Sequence, residues 1–218
     1  MTYRTEFHCH TIYSKDSLVT PAQLVKTCHR KKIDKVVITD HNSIQGAVAA
    51  WKIAPELVII GEEIMTTKGE ILGAYLIEEI PAGLSPLETI KRLRAQGAFI
   101  SIAHPFDTTR HGHWQEEDLF EILPLVDAIE TFNARCLLPS MNEKAANFAA
   151  RFQLPATVGS DAHSLFELGR ATLTLPKFNS AHELRAVIRQ GQPQTHRSGI
   201  PARFASRYAV FHKKIFPA

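Results

Sequence analysis

The chain has 218 residues, of which 44% are hydrophobic and 22% are charged. This composition is typical of one globular domain, and the chain has no low-complexity tract, internal repeat or coiled-coil heptad. The net charge of +3 arises late in the chain, because residues 197–218 carry five basic and no acidic side chains. We therefore predict one domain over residues 1–196 and a basic tail over residues 197–218. The charge does not by itself indicate a body that binds nucleic acid.

The sequence carries no sign of export or of membrane insertion. Its first residues lack the apolar stretch of a signal peptide, and no apolar run is long enough to span a bilayer. The three cysteines, Cys9, Cys28 and Cys136, are odd in number and widely spaced. They suit a reducing compartment, so we expect a cytoplasmic protein without a transmembrane segment.

Short apolar runs alternate with helical patterns along the sequence. Thr20 and Ser85 are each followed by proline and, three residues after the cap, by Gln or Glu, which predicts two helix starts. The alternation predicts an α/β fold with a parallel sheet, either closed into a compact barrel or open and doubly wound. Further helices are predicted near residues 44–51, 117–123, 140–152 and 180–189, and strands at 3–9, 36–39, 57–60, 71–77, 98–102, 127–132 and 156–159.

A His-x-His pair closes the first predicted strand. His8 and His10 are two residues apart, so both imidazoles point to the same side of a strand and can reach one ion. Asp16, in the following loop, offers a carboxylate to the same place. Alone, such a pair is as compatible with two polar residues at a strand end as with a metal site.

Four further strands also end in ionisable side chains. The carboxyl edge of the strands is where barrels and open parallel sheets build their sites. Gathering many ionisable groups at one rim without a cation is costly through desolvation and repulsion, so the pattern favours a metal site. Imidazoles and carboxylates without thiolates suit Mn, Fe or Zn. In chain order, these strand ends carry Asp40, His41, Glu62 and Glu63, His104, Asp161 and His163.

Taken together and in this order, the motifs HxH, YSxDS, TDH, GxE, AHP and GSDAH resemble those of the PHP (polymerase and histidinol phosphatase) superfamily. They extend over about residues 6–165. The resemblance implies a distorted seven-stranded (β/α) barrel, TIM-like, with two or three divalent metal ions at the carboxyl edge. It further implies that the metal ligands are His8, His10, Asp16, His41, Glu63, His104, Asp161 and His163.

The resemblance also implies how these ligands are shared. It assigns His8, His10, Glu63 and Asp161 to one ion, Asp16, His41 and His163 to a second, and Glu63 with His104 to a third subsite. Family members with three ions generally carry a further histidine between the GxE and AHP motifs. This chain has none between Asn42 and Ala103, and Glu70 is the nearest substitute. We therefore expect two ions, with a third dependent on Glu70.

The predicted function is a metal-dependent phosphoesterase that acts on a small phosphorylated substrate. A metal-bound water, with its pKa lowered from 15.7 towards about 7, would attack phosphorus in line. Asp16 or His163 would assist proton transfer. Arg135, after the sixth strand, is a candidate phosphate clamp because a guanidinium binds phosphate through two hydrogen bonds. Arg170 is a second candidate, and a surface position is the alternative for both arginines.

Two other functions stay open at this point. Some relatives trim nucleic-acid or nucleotide ends, which implies a nuclease or nucleotide phosphatase acting on a nucleotide or oligonucleotide. A non-catalytic metal-binding scaffold is the other alternative, although the intact ligand set argues against it.

The pattern of the basic tail predicts a terminal helix. We expect its aromatic stripe to dock on the barrel while its charges face solvent. The alternative is a basic amphipathic helix that contacts an anionic surface, nucleic acid or a partner protein. The stripe consists of Phe204, Tyr208, Phe211 and Ile215, and the other face carries Arg203, Arg207 and Lys214.

Overall fold

The computed structural model describes residues 1–216, whose strands form one nine-stranded sheet in the order β7-β6-β5-β4-β3-β2-β1-β8-β9. The strands are β1 (Thr2–Glu6), β2 (Lys35–Ile38), β3 (Val58–Met65), β4 (Glu70–Ala74), β5 (Phe99–Ile102), β6 (Ala128–Asn133), β7 (Ala156–Gly159), β8 (Ala171–Pro176) and β9 (Gln192–Thr195). The helices are α1 (Pro21–Arg30), α2 (Gln45–Trp51), α3 (Pro86–Ala95), α4 (Glu116–Ile122), α5 (Pro139–Arg151), α6 (Ala181–Val187) and α7 (Ile200–Ile215). Within these residues, no helix combines the length and apolarity needed to cross a membrane.

The sheet curves until the segment after β7 meets the segment after β1. Beyond β1, Cys9 bridges in parallel to Ala162, which lies beyond β7, and the His10 amide donates to the Ala162 carbonyl at 2.8 Å. Strands β1 to β7 therefore form a nearly closed barrel, while the β8–β9 hairpin extends from β1 by antiparallel pairing. The predicted barrel is confirmed, and the open doubly wound sheet is excluded.

One part of the barrel departs from the predicted parallel sheet. β4 runs antiparallel to both β3 and β5. The reason is a tight turn in which the Gly69 amide donates to the Thr66 hydroxyl, because so short a connection leaves no room for a crossover helix. β3 also continues past the predicted end at residue 60, so Glu63 lies inside a strand. The sequence predicted neither β8 nor β9, and the residues of β9 are all exposed.

The predicted helix starts and buried strands are present. The hydroxyl of Thr20 accepts from the Gln23 amide and that of Ser85 from the Glu88 amide, which caps α1 and α3. Every residue of β2 and of β5 is buried, as expected of strands covered on both faces. These rigid strands fix the positions from which the rim side chains project.

Helix α7 packs on the barrel with a different face from the one predicted. Ala202 and Ala209 are its buried residues. Phe204, Tyr208 and Phe211 are 65%, 61% and 61% exposed, so the prediction that the aromatic stripe docks on the barrel is wrong. The physical reason is that two alanines seven residues apart allow the helix backbone a close approach that aromatic rings would prevent.

Polar contacts complete the docking of α7. The Lys213 ammonium donates to the carbonyls of Ile12 and Ser14 at 2.5 and 2.6 Å. Arg135, from the loop after β6, donates to the Ala202 carbonyl at 3.1 Å and to the Ser206 hydroxyl at 2.7 Å. Basic side chains of α7 therefore face the mouth of the barrel.

Candidate metal centre

Five segments of the barrel meet at its carboxyl edge, which we call the rim. The turns after β1, β2, β5 and β7 and the inner part of β3 place their ionisable side chains there. The rim brings together all eight predicted metal ligands: His8, His10, Asp16, His41, Glu63, His104, Asp161 and His163.

Glu63 lies at the middle of the rim. Its Oε1 atom is 3.2 Å from His8 Nε2 and 2.9 Å from His104 Nε2. Its Oε2 atom is 3.4 Å from His10 Nε2 and 2.9 Å from His41 Nδ1. The adjacent Glu62 points away and accepts from the Ile80 amide, as expected of neighbouring residues on a strand. Glu63 is therefore the carboxylate that can bridge two ions.

Two aspartates extend the rim on either side of the histidines. Asp161 Oδ1 lies 3.3 Å from both His10 Nε2 and His163 Nδ1. Asp16 Oδ2 is 3.1 Å from His163 Nε2, and Asp16 Oδ1 is 3.7 Å from His41 Nε2. Asp161 has a φ of +50°, a left-handed conformation that is rare for residues other than glycine and is often found at functional sites.

Glu70 reaches the same site from β4. Its carboxylate oxygens lie 3.3 Å from His104 Nε2 and 3.8 Å from His41 Nδ1. Burial and the nearby charge of Glu63 raise the pKa of Glu70 above its ordinary value, although His104, His41 and Arg110 act in the opposite direction. The side chain that the sequence offered as a substitute for the missing histidine therefore stands next to the third subsite.

Buried polar atoms without a hydrogen-bond partner test whether this site suits divalent ions. Leaving such an atom unpaired costs about 1–3 kcal/mol. Triads of these residues offer ligand atoms within 4.8 Å of one another, and Mn, Fe and Zn all accept imidazole and carboxylate ligands. The residues therefore fit divalent metal ions. Within residues 1–216, the unpaired atoms of the rim include Nε2 of His8, His10 and His163 and one carboxylate oxygen each of Asp16, Glu63 and Asp161.

The environment of the rim shifts the pKa values of His8 and His10 in opposite directions. Burial and the neighbouring His163 and His41 hold the pKa of His10 well below its ordinary value. Burial also acts to lower the pKa of His8, but nearby carboxylates, above all Glu63, outweigh it and raise that pKa well above its ordinary value. A metal ligand must be a neutral imidazole, so the lowered pKa of His10 favours the form that binds an ion.

Glu130 is a supporting residue that the sequence reasoning missed. Its Oε1 atom is 3.0 Å from His8 Nδ1, and its Oε2 atom accepts from the His104 amide at 2.8 Å. A carboxylate on the second nitrogen of a ligating histidine fixes the ring and its tautomer. Gly159 leaves room for this contact, since a Cβ there would lie 2.1 Å from Glu130 Oε1. An acid inside the apolar run of β6 was the available signal.

Asp40 is a second supporting residue. It accepts hydrogen bonds from the Thr11 amide and from the Thr11 and Ser14 hydroxyls, each at 2.6 Å. Ser14 Oγ in turn lies 3.1 Å from His10 Nδ1. Asp40 therefore holds the loop that carries Asp16 and orients His10, rather than facing the ions itself.

The two arginines proposed from sequence lie in different places. Arg135 reaches the rim, with Nη1 2.5 Å from His163 Nδ1 and Nε 3.3 Å from Glu167 Oε1. Arg170 is exposed just before β8. Its charge adds to the effect of burial in lowering the pKa of Lys31, which follows α1. A third arginine, Arg110, was not among the residues proposed from sequence. It lies 2.5 Å from Asp161 Oδ2.

A barrel with histidines and carboxylates at its carboxyl edge has the architecture of a metal-dependent hydrolase. The model of the PHP domain matches residues 6–157, and that of a PHP-associated region matches residues 139–193. The chain therefore belongs to the PHP family, as the order of its motifs indicated. An uncharacterized protein of Methanocaldococcus jannaschii is 36% identical over 179 residues, which cover 81% of this chain and 72% of that protein.

Solved structures share the fold at low sequence identity. A two-domain protein of Bacteroides vulgatus that contains a predicted PHP-like metal-dependent phosphoesterase has a TM-score of 0.72 at 18% identity, covering 90% of this chain and 65% of that one. A lesion-specific endonuclease of Pyrococcus furiosus has a TM-score of 0.60 at 15% identity, covering 89% of this chain and 57% of that one. The chain thus spans less than two thirds of either protein, and the similarity is one of fold.

Proposed function

We propose that this chain hydrolyses phosphate esters at a centre of two or three divalent ions on the rim. The observation that carries the proposal is the convergence of unpaired imidazole nitrogens and carboxylate oxygens in a buried space. In the proposal, His8, His10, Glu63 and Asp161 hold one ion, Asp16, His41 and His163 a second, and Glu63, Glu70 and His104 the third.

Each part of the rim has a separate task in this reaction. Bound ions would supply positive charge to the developing transition state and lower the pKa of water at neutral pH. Asp16 and His41 are each 20% exposed, so they are the rim residues that substrate meets first. Asp16 Oδ2 lies 3.1 Å from His163 Nε2, and these two residues are the ones we propose to assist proton transfer to the leaving group.

Two arginines would bind the phosphoryl group beside the ions. Arg110 and Arg135 project from different loops, and both line the pocket that Asp16 also lines. Guanidinium groups bind phosphate through paired hydrogen bonds, so two of them can fix the orientation of the ester before reaction. Arg170 is exposed outside this pocket, which favours a surface role for it.

A nuclease acting on nucleic-acid ends is the second candidate. Endonuclease Q, bound to a 27-mer duplex with an abasic lesion at its active site, has a TM-score of 0.61 at 16% identity and covers 89% of this chain. In this chain, α7 lies beside the site, where Lys213 contacts the loop before Asp16 and Arg135 contacts the Ala202 carbonyl. We expect a helix in this place to hinder a duplex more than a small molecule, which favours a small phosphorylated substrate.

Metal analysis combined with two substrates tests the proposal. We expect the purified protein to contain Mn, Fe or Zn and to hydrolyse p-nitrophenyl phosphate, to lose activity with EDTA, and to regain it when an ion is restored. Turnover of a short oligonucleotide but not of small phosphomonoesters would favour the nuclease. A fully metallated protein that hydrolyses no phosphoester would refute the proposal and favour a non-catalytic metal-binding scaffold.

A cytoplasmic location is part of the same proposal. Cys9, Cys28 and Cys136 are buried and unpaired among the described residues. Burial raises the pKa of all three thiols, which keeps them unreactive. Thiols of this kind are suited to a reducing compartment.

A further inference from the structure

A pocket of about 250 Å³ adjoins the rim on the side of α7. One wall comes from the loop after β5 and another from α7 itself, so residues far apart in the sequence meet across it. The lining consists of four arginines, two hydroxyl side chains and one rim carboxylate: Arg110, Arg135, Arg203, Arg207, Thr109, Ser206 and Asp16. We call this the arginine pocket.

The positive charges of the arginine pocket are only partly balanced by protein carboxylates. Arg110 pairs with Asp107 and Asp161, and Arg135 lies 3.3 Å from Glu167. Arg203 and Arg207, by contrast, form no ion pair within the part of the chain that the structure describes. The α7 wall therefore presents two uncompensated guanidinium groups.

These two arginines are not needed to dock α7. Docking uses the buried alanines, the Lys213 ammonium and the Arg135 guanidinium. Arg203 makes one side-chain hydrogen bond, to the Thr109 hydroxyl at 3.0 Å, and Arg207 is exposed. Partial burial lowers the pKa of Arg203, and the neighbouring arginines lower it further, against the opposing effect of Asp107.

We propose that the arginine pocket binds a second anionic group of the substrate, with Arg203 and Arg207 as its specificity-determining residues. The inference rests on the proposed function, because the scissile phosphate would occupy the rim next to Asp16 while the second group lies against α7. Its preferred substrates are then small phosphoesters that carry a further phosphate or carboxylate. The volume suits one such group and excludes a duplex.

Matched substrates test this preference on the metal-loaded, full-length protein. Fructose monophosphate and bisphosphate differ by one phosphate, and glycerol phosphate and phosphoglycerate by one carboxylate. In the double variant Arg203→Ala/Arg207→Ala, we expect KM for the anion-bearing member of at least one pair to rise roughly tenfold, with kcat and the other member nearly unchanged. The pair that responds identifies the second group.

Lys214→Ala is the matched control, since it removes a positive charge from the same helix outside the pocket. It should leave both pairs unaffected, and Arg203→Lys should restore part of the lost affinity. Equal KM values for the wild type and the double variant on every pair would overturn the proposal. An effect confined to oligonucleotides would also overturn it, in favour of a nucleic-acid contact.

A binding measurement separates this proposal from the proposed function. Calorimetry with methylenediphosphonate, whose P–C–P linkage cannot be hydrolysed, on the wild type, the double variant and Lys214→Ala reports the arginine pocket without any turnover. Arginine-dependent binding that weakens with salt, in a protein without phosphoesterase activity, would uphold the pocket and refute the function. Full activity with binding unaltered in the double variant would uphold the function and refute the pocket.

Discussion

The rim and the arginine pocket lie side by side and differ in almost every physical respect. The side chains of His8, His10, Glu63 and Asp161 are fully buried, and rigid strands of the barrel position them. The pocket is partly open to solvent, and a loop and a terminal helix form it. The comparison suggests that strand ends determine which reaction is possible, whereas later elements of the chain determine which substrate is accepted.

The largest effect is expected from two adjacent glutamates that differ only in direction. Glu63→Gln should lower kcat/KM on the order of a thousandfold and reduce the bound metal, because a neutral amide cannot bridge two ions. Glu62→Gln, one residue away and buried with its carboxylate directed away from the rim, should change kcat/KM less than about twofold. Steady-state kinetics and elemental analysis measure both. Similar losses in the two variants would show that the acids act on folding rather than on metal.

A smaller loss is expected when the support of the rim is changed but no ligand is removed. Glu130→Gln keeps the shape of the side chain yet weakens its hold on His8 Nδ1. Metal affinity should fall about 10- to 100-fold, as for other carboxylates that orient a ligating histidine. Competition with a chromogenic chelator measures this. Unchanged affinity would mean that the backbone after β1 alone orients His8.

The smallest effect concerns the attachment of α7 and leaves the rim intact. Lys213→Ala removes two charge-assisted hydrogen bonds to backbone carbonyls, so it should cost about 1 kcal/mol, or about 2–4 °C in unfolding temperature. Hydrogen exchange should accelerate mainly in residues 200–215, with bound metal unchanged. Lys214→Ala serves as the control. Equal exchange in both variants would mean that the alanine contacts alone hold the helix.

The sequence predicted the rim well because its signals are local. An imidazole pair two residues apart on a strand, and polar residues directly after buried apolar runs, can be recognised without knowing the fold. The rim also gathers Glu70, whose carboxylate lies 3.3 Å from His104 Nε2. The sequence indication was weakest for Glu70, because this residue lies at the start of β4 and reaches the rim only since β4 is antiparallel to its neighbours.

Other features depended on contacts between distant segments. Glu130 is 122 residues from His8, and Arg110 approaches Asp161 from a loop without regular structure. Neither contact leaves a recurring pattern in the sequence. The direction of β4 was missed for a related reason. Whether two strands pair parallel or antiparallel depends on the length of the connection between them rather than on the composition of the strand.

The orientation of α7 shows where hydrophobic patterning fails. Aromatic residues at helical spacing normally mark the buried face of a helix. Here the buried positions are Ala202 and Ala209, and long basic side chains reach carbonyls and the mouth of the site. Phe204 and Tyr208 are exposed, although they repeat at helical spacing. Such spacing shows that residues share one face of a helix, but it does not show whether that face packs against the protein.

The place where α7 ends bears on how the protein should be handled at the bench. Lys213, near the end of this helix, contacts the backbone of the loop that precedes Asp16. A polyhistidine tag fused after this helix would bring additional imidazoles close to a centre built from imidazoles. β1 begins at Thr2 and runs towards the rim, so a tag at the exposed Met1 starts from the opposite end of the barrel. Purification and metal assays should therefore use an amino-terminal tag.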